Sequence, residues 1–291
     1  MRKSNILAII QARMGSSRLP GKVLLDISGE PMLVRVAERA RRSKTLDGII
    51  IATTVDPSDN PIASLCAQRG YPFYRGSTFD VLDRYYQTAR KYEADVIVRI
   101  TGDCPVIDPH VIDTTVYAIF GKTSHKLESD LSQEIPELLW DFTANRLPPP
   151  WRRTYPIGLD TEVCTFRALE RTWREADQPH QREHVMPYIY DPARSVHFSS
   201  LNTLLPPADL PPDIFRVLQV DHEPDLGALR WTVDTAEDLD LIRQIYTHFD
   251  GRDGFSWLDV LALVQQNPEL ARINASVLHK SVHDVDSRNH S

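Results

Sequence analysis

Short apolar runs alternate with amphipathic helical stretches through the first 120 residues, and few architectures accept that alternation. Asn5–Gln11, Gly48–Ala52 and Asp95–Ile100 are apolar runs of strand length. Between the first two, the spacing of Leu33, Val36, Ala37 and Ala40 predicts a helix over Pro31–Ser43, with Pro31 in its first turn. Pro61–Arg69 reads as a shorter helix. Ser77-Thr78-Phe79-Asp80 has the form of a capping box, an arrangement that stabilises a helix start by about 1 kcal/mol. The helix it opens would bury Leu82, Tyr85, Tyr86 and Ala89. Strand and helix in repetition predict an α/β fold, a largely parallel sheet with helices on both faces.

From about Gly121 to Arg153 the pattern fails, and LPPPW (Leu147–Trp151) is rigid and extended. This stretch reads as an insertion or dimerisation segment, because Trp140 and Trp151 add apolar surface that one sheet cannot obviously bury. Order returns as a strand-like alternation at Leu159–Phe166, helices near Arg167–Arg174 and His180–Tyr190, and a strand at Phe215–Val220. Prolines mark 206–212 as a loop. A helix over Thr235–His248 is capped by Thr235 with Asp238 and buries Leu239, Ile242 and Tyr246; another covers Ser256–Gln266. The expected organisation is one domain over 1–273, with the insertion at about 121–153 and a flexible tail at 274–291.

Charge is distributed unevenly. The net charge is −7, yet residues 1–50 carry 10 Lys+Arg against 4 Asp+Glu. A basic opening on an acidic chain excludes a general nucleic-acid partner, which asks for a broad basic face. It suits a local site for a compact anion such as a polyphosphate. Arg35, Arg39, Arg41, Arg42 and Lys44 read instead as the solvated face of one helix. No run approaches the roughly 18 apolar residues of a membrane span, so membrane insertion is not expected. Three separated cysteines fit a reduced, cytoplasmic protein rather than a disulfide scaffold.

The segment Gln11–Lys22, QARMGSSRLPGK, directly follows the first strand. Gly15 and Gly21 permit tight backbone geometry, Ser16 and Ser17 offer hydroxyls, and Arg13, Arg18 and Lys22 bring three positive charges. A loop leaving the carboxyl end of a parallel strand is where α/β folds place ligands, and its N–H groups can form an anion-binding nest. The spacing fits neither GxxxxGK[ST] nor GxGxxG. Asp103, in the turn ITGDCP, and Asp234, ahead of the Thr235 helix, are two carboxylates at separate strand ends, a set that suits Mg²⁺. The plainer readings are a turn aspartate and a helix N-terminal charge.

These segments resemble the sugar-acid cytidylyltransferases of the CMP-sugar synthetase type, most closely the spore coat polysaccharide biosynthesis protein F group. ARMGSSRLPGK carries the specific match. RGSTFDVLDRYYQ (Arg75–Gln87), RITGDCPVIDP (Arg99–Pro109), YPIGLDTEV (Tyr155–Val163), REHVMPYI (Arg182–Ile189) and VDTAEDL (Val233–Leu239) follow in the family's order. The likeness spans roughly residues 5–270 and departs at 121–150. It implies a Rossmann-like nucleotidyltransferase fold, GT-A-like, three-layered, with a mainly parallel mixed sheet. It also implies CMP transfer from CTP to a sugar acid or related sugar, with release of pyrophosphate, for surface polysaccharide, by a Mg²⁺-dependent homodimer.

On this resemblance Ala12, Arg13, Met14, Gly15, Ser16, Ser17, Arg18, Lys22, Arg75 and Asp83 bind the nucleotide. Asp103 and Asp234 ligate Mg²⁺, and these two with Arg13 and Lys22 are the catalytic set. Lys22→Ala is expected to cut turnover while leaving thermal stability nearly unchanged. Asp160, Glu162 and Arg182 are candidates for the sugar pocket, with structural ion pairs as the alternative. Three other functions stay open. A GT-A-like glycosyltransferase would want a DxD, which is not evident, and a non-catalytic nucleotide-sugar-binding partner would need no turnover. His180-Gln181-Arg182-Glu183-His184 spells the HxxEH of a zinc metallopeptidase, a short pattern with a high false-positive rate.

Overall fold

A computed structural model describes residues 4–122, 137–149 and 151–278. The chain runs through β1 (Ile6–Gln11), a small hairpin of β2 (Asp26–Ile27) and β3 (Glu30–Pro31), α1 (Met32–Ala40), β4 (Gly48–Thr54) and α2 (Asn60–Arg69). It continues through β5 (Phe73–Gly76), α3 (Val81–Lys91), β6 (Val96–Thr101), α4 (Pro109–Ile119), β7 (Phe142–Ala144) and β8 (Glu162–Thr165). It ends with α5 (Phe166–Glu175), α6 (Pro179–His184), β9 (Ser195–Ser199), β10 (Phe215–Gln219), α7 (Ala236–His248), α8 (Trp257–Gln266) and α9 (Pro268–Arg272). The large sheet has the order β5-β4-β1-β6-β8-β7-β10-β9. Only β8 runs antiparallel, against β6 and β7. This is the mixed, mainly parallel sheet of a three-layer α/β fold.

The period-2 geometry of a strand explains the layers. In β1, Ile6, Ala8 and Ile10 face one core, which also takes Leu33, Val36 and Ala37 of α1 and Ile62 of α2. Leu7 and Ile9 face the other, with Leu82 and Tyr85 of α3 and Leu169 of α5. Burying one such side chain contributes about 1.5–3 kcal/mol, so a strand apolar on both faces is held only when helices cover both. β1 lies between β4 and β6, and the chain builds outward from it in both directions. That reversal opens a crevice at the carboxyl ends of β1 and β6, the usual ligand position in such sheets.

Several sequence expectations are corrected. The helix after residue 77 begins at Val81 and is capped by Asp80, whose carboxylate accepts from the Asp83 N–H; Ser77 Oγ instead accepts from the Asp80 N–H at 3.0 Å. The later helix stops at His184, because Val185 takes φ 73° and turns inward with Met186. Arg35 and Arg39 are not solvated: they are 4% and 0% exposed. Arg35 pairs with Asp253 at 2.8 Å, and Arg39 lies over the Phe255 ring and donates to the Ile107 carbonyl at 2.7 Å. A guanidinium tolerates burial when its face is stacked and its N–H groups are used.

Residues 123–136 and 150 of the expected insertion lie outside the described residues. The described part of that stretch is woven into the sheet. β7 sits between β8 and β10, and Trp140 is fully buried with its Nε1 donating to the Leu204 carbonyl at 2.9 Å. A three-residue strand carries too little periodicity to be recognised in sequence. Of the expected tail, 279–291 lies outside the described residues, and its first residue, Asn274, is buried.

The edge strand β9 gives a pH test of this packing. The His197 ring stacks on Trp151 with centroids 4.0 Å apart, and its Nε2 meets Ser195 Oγ at 2.6 Å. Burial pushes its pKa down from 6.5 to about 4. Between those values the unfolded chain binds a proton that the folded one refuses, so stability falls as pH drops through that window. Chemical denaturation should therefore show the wild type losing stability relative to His197→Phe from pH 6.5 to 4. A difference constant with pH would remove the buried neutral imidazole.

Candidate active site

The loop after β1 is shaped by contacts that its own residues do not announce. The Met14 N–H donates to Asp59 Oδ1 at 2.7 Å, while Thr54 Oγ1 donates to the other oxygen. Asp59 is 1% exposed, so a buried carboxylate between β4 and α2 anchors the loop's first turn. The Gly21 N–H returns to the Met14 carbonyl at 2.9 Å, and Gly21 has φ 70°, the left-handed region glycine enters without strain. The chain thereby delivers Lys22 inward, 8% exposed, at the head of the 3-10 turn Lys22–Leu24.

Asp103 arrives from β6. The Gly102 N–H donates to the Gln11 carbonyl at 2.9 Å, and a Cβ on Gly102 would lie 2.9 Å from that oxygen, so only glycine lets the two strand ends approach. Asp234 arrives from the segment before α7. The Val233 N–H and Thr232 Oγ1 donate to the Asp103 carbonyl at 2.9 and 3.0 Å, which clips this segment onto the β6 turn. Asp238 and Thr235 complete the reciprocal cap of α7, as the spacing predicts.

One ammonium joins the three parts. Lys22 Nζ donates to Asp103 Oδ2 at 2.6 Å, to Asp234 Oδ1 at 2.9 Å and to the Val233 carbonyl at 2.7 Å. Two oxygens so close to one nitrogen cannot be farther apart than the sum of those distances. Asp234 Oδ2 is also met by Arg18 at 2.8 Å and Arg230 at 2.7 Å. Burial opposes the charge of Lys22, but the two aspartates outweigh it and hold the ammonium's pKa above its ordinary value. Burial likewise opposes the Asp234 carboxylate; Lys22, Arg230 and Arg18 outweigh it and hold its pKa well below the usual range. Lys22 and Asp234 are thus both charged, each the other's counter-ion.

The donor set fits Mg²⁺. Two carboxylates already bracket one small cation's position, and both keep solvent access at 24% and 20%. No third His, Cys, Asp or Glu gathers with them among the described residues, so a Mg²⁺ held here would take its other ligands from phosphate and water.

The other nominated residues fall in three places. Arg75 binds the backbone at the end of β4, its Nε to the Thr54 carbonyl at 2.8 Å and its Nη2 to the Asp56 carbonyl at 3.0 Å, so it shapes the crevice rim. Asp83 accepts from Trp173 Nε1 at 2.9 Å, a contact that ties α3 to α5, and from Gln87 Nε2 of its own helix at 3.1 Å. Arg182 pairs with Asp80 through Nε at 3.0 Å and donates Nη1 to the Trp173 carbonyl at 2.8 Å, locking α6 against α3. Asp160 pairs with Arg153 at 3.0 Å. Glu162 pairs with Arg99, its register partner across β8 and β6, and Arg146 stands 4.0 Å from it. Burial, then Asp103 and Asp160, push the Cys104 thiol's pKa up.

Sequence reading missed Asp59, Gly102, Arg153 and Arg230. Gly102 lies within the motif RITGDCPVIDP, and Arg153 and Arg230 stand just ahead of YPIGLDTEV and VDTAEDL; Asp59 carries no local signal. The HxxEH histidines sit on a helix of six residues, and no group of three metal-ligating side chains forms around them among the described residues.

Comparison with known proteins shows the family. The cytidylyltransferase family model matches residues 7–202. An uncharacterized protein of Methanocaldococcus jannaschii is 35% identical over 283 residues, 97% of this chain and 99% of that one. The spore coat polysaccharide biosynthesis protein SpsF of Bacillus subtilis is 30% identical over 273 residues, 92% of this chain and 97% of its own. A solved cytidylyltransferase from Leptospira borgpetersenii superposes with a TM-score of 0.72 at 27% identity, covering 96% of this chain and all of the other. With a basic loop at the switch point of the sheet, and with a family match over 7–202, this chain belongs to the cytidylyltransferases.

Proposed function

We propose that this cytidylyltransferase transfers CMP from CTP to a hydroxyl of a sugar acid, or a related sugar, for surface polysaccharide, and releases pyrophosphate. The observation that carries the reading is the meeting of Lys22, Asp103 and Asp234 at the end of the basic loop. A triphosphate needs cations at its oxygens, and its metal needs paired carboxylates. Three guanidiniums, Arg99, Arg146 and Arg153, meet two carboxylates, Glu162 and Asp160, beside this crevice, which favours an acceptor bearing its own negative charge. The polysaccharide role rests on the likeness to SpsF.

In this reading Arg13, Arg18 and Lys22 bind and orient the triphosphate, with loop N–H groups at its oxygens. Asp103 and Asp234 would hold Mg²⁺, which when bound polarises the α-phosphate and lowers the pKa of the incoming hydroxyl. Lys22 leaves the carboxylates and follows the phosphate charge. Buried Asp59 keeps the loop in place during the exchange. Alignment of the attacking hydroxyl with the leaving pyrophosphate is then the main task of the protein, and no side-chain base is assigned. We further propose a homodimer working in the cytoplasm. No helix among the described residues is long and apolar enough to cross a membrane.

The test is Mg²⁺-dependent pyrophosphate release with four nucleoside triphosphates against nonulosonic acids, octulosonic acids and neutral sugars. Release is expected with CTP and an acidic acceptor. Release only with another nucleotide, or only with a neutral sugar, would replace the corresponding half of the reading. A single ~33 kDa species in sedimentation, the mass of one chain, would remove the dimer.

A further inference from the structure

The C-terminal turn of the described chain reaches the Lys22–Asp234 group through buried polar contacts. Asn274 is 4% exposed, and its Nδ2 donates to Asp238 Oδ1 at 2.8 Å and to the Arg230 carbonyl at 3.1 Å. Both partners are acceptors, which fixes the orientation of the amide. Asp238 is wholly buried and receives Arg230 Nε at 2.9 Å and Nη2 at 3.0 Å. Its Oδ2 also accepts the N–H groups of Asp234 at 2.9 Å and Thr235 at 3.1 Å. The same Arg230 Nη2 reaches Asp234 Oδ2 at 2.7 Å. Asp238 therefore fixes the main chain under Asp234 and the guanidinium beside it.

We propose that Asn274, Asp238 and Arg230 are positioning residues that turn one oxygen of Asp234 to the guanidinium and keep the other, Oδ1, for the metal. The proposal rests on the reading of Asp234 as a metal ligand. Its basis is a division of charge. Asp238 takes Arg230 through two nitrogens and leaves Asp234 a single edge of it. An Arg230 released from Asp238 could chelate both oxygens of Asp234, since a guanidinium prefers a bidentate carboxylate. It would then compete with the cation. A cavity of about 200 Å³ lined by Arg230, Leu241, Ala271 and Asn274 adjoins the guanidinium, so Arg230 is not packed tightly on every side. Asn274 prevents it by holding Asp238 in place. It comes from the turn after α9, far along the chain from both the phosphate loop and Asp103. The Leu278 carbonyl, four residues on, accepts from Arg18 Nη1 at 3.3 Å, a second tie from this segment to the loop.

The test measures Mn²⁺ binding by electron paramagnetic resonance in protein loaded with a non-hydrolysable CTP analogue, and separately the analogue's affinity without divalent cation. Asn274→Ala is expected to weaken Mn²⁺ by about tenfold, the low end for outer-shell partners of a metal ligand. Its metal-free nucleotide affinity should stay at the wild-type value. If that variant does not fold, Asn274→Ser, which shortens the amide to a hydroxyl, should weaken Mn²⁺ in the same direction. Unchanged Mn²⁺ affinity in either folded variant overturns the proposal. So does an equal loss of Mn²⁺ and metal-free nucleotide binding, which is general loosening. A wild type that binds the analogue but no Mn²⁺ sinks the metal reading of Asp234 itself, and the positioning role with it.

Discussion

Lys22→Ala is expected to lower pyrophosphate release on the order of 10²-fold or more, the usual effect of removing one preorganised charge from a developing anionic centre. The structure adds a second effect that sequence reading excludes. Lys22 is the shared counter-ion of Asp103 and Asp234, and without it two carboxylates face each other across the space it filled. Charge-assisted hydrogen bonds of this kind contribute roughly 1.5–3 kcal/mol each, and like charges at such separation repel. Arg18 and Arg230 remain on Asp234 and offset part of the loss. The metal-free variant should therefore melt lower by about 2 kcal/mol of stability. Mg²⁺ should restore melting temperature more in Lys22→Ala than in the wild type, because the cation replaces the missing ammonium. Wild-type turnover would remove Lys22 from the site. A melting temperature insensitive to both the substitution and Mg²⁺ would remove the shared-cation geometry.

The larger effect is expected from the aspartates. Asp103→Asn and Asp234→Asn should each reduce turnover on the order of 10³-fold, since a carboxylate ligand of a catalytic metal supports several kcal/mol of charge stabilisation. The two should not add. If both serve one cation, the double variant falls within about tenfold of the worse single one, as residues that act as a unit do. Stability should separate them. Asp234→Asn takes a shared carboxylate from Lys22, Arg18 and Arg230 at once, although Lys22 keeps Asp103 and Arg230 keeps Asp238, whereas Asp103→Asn takes one partner from Lys22. Removing one member of such a group costs up to about 3–5 kcal/mol when fully buried, and less here because Asp234 keeps some solvent contact. Asp234→Asn should thus unfold at lower denaturant than Asp103→Asn. Additive losses of activity in the double variant, or normal turnover in either single one, would end the shared-metal reading.

The features legible before folding are patterns a few residues long. The apolar run of β1, the helical spacing of Leu33, Val36, Ala37 and Ala40, and the Thr235–Asp238 cap are patterns legible before any distant partner is placed, and each appears where the pattern puts it. The basic loop was legible for the same reason, because its glycines and cations stand together and follow a strand. Tertiary structure alone decided which charges meet. Lys22 pairs with Asp103 and Asp234, 81 and 212 residues away, only because Gly102 lets β6 close on β1 and the Asp103 carbonyl holds Val233. Glu162 faces Arg99 because β8 enters the sheet antiparallel, a direction that no local pattern encodes. Arg39 reads as a surface cation until Phe255 is laid under it, and Asn274 reads as a fraying terminus until Asp238 is found against its amide. A side chain's charge is written in the sequence. Its solvation, which decides whether that charge is a surface ornament, a buried tie or a ligand, depends on the elements that fold over it.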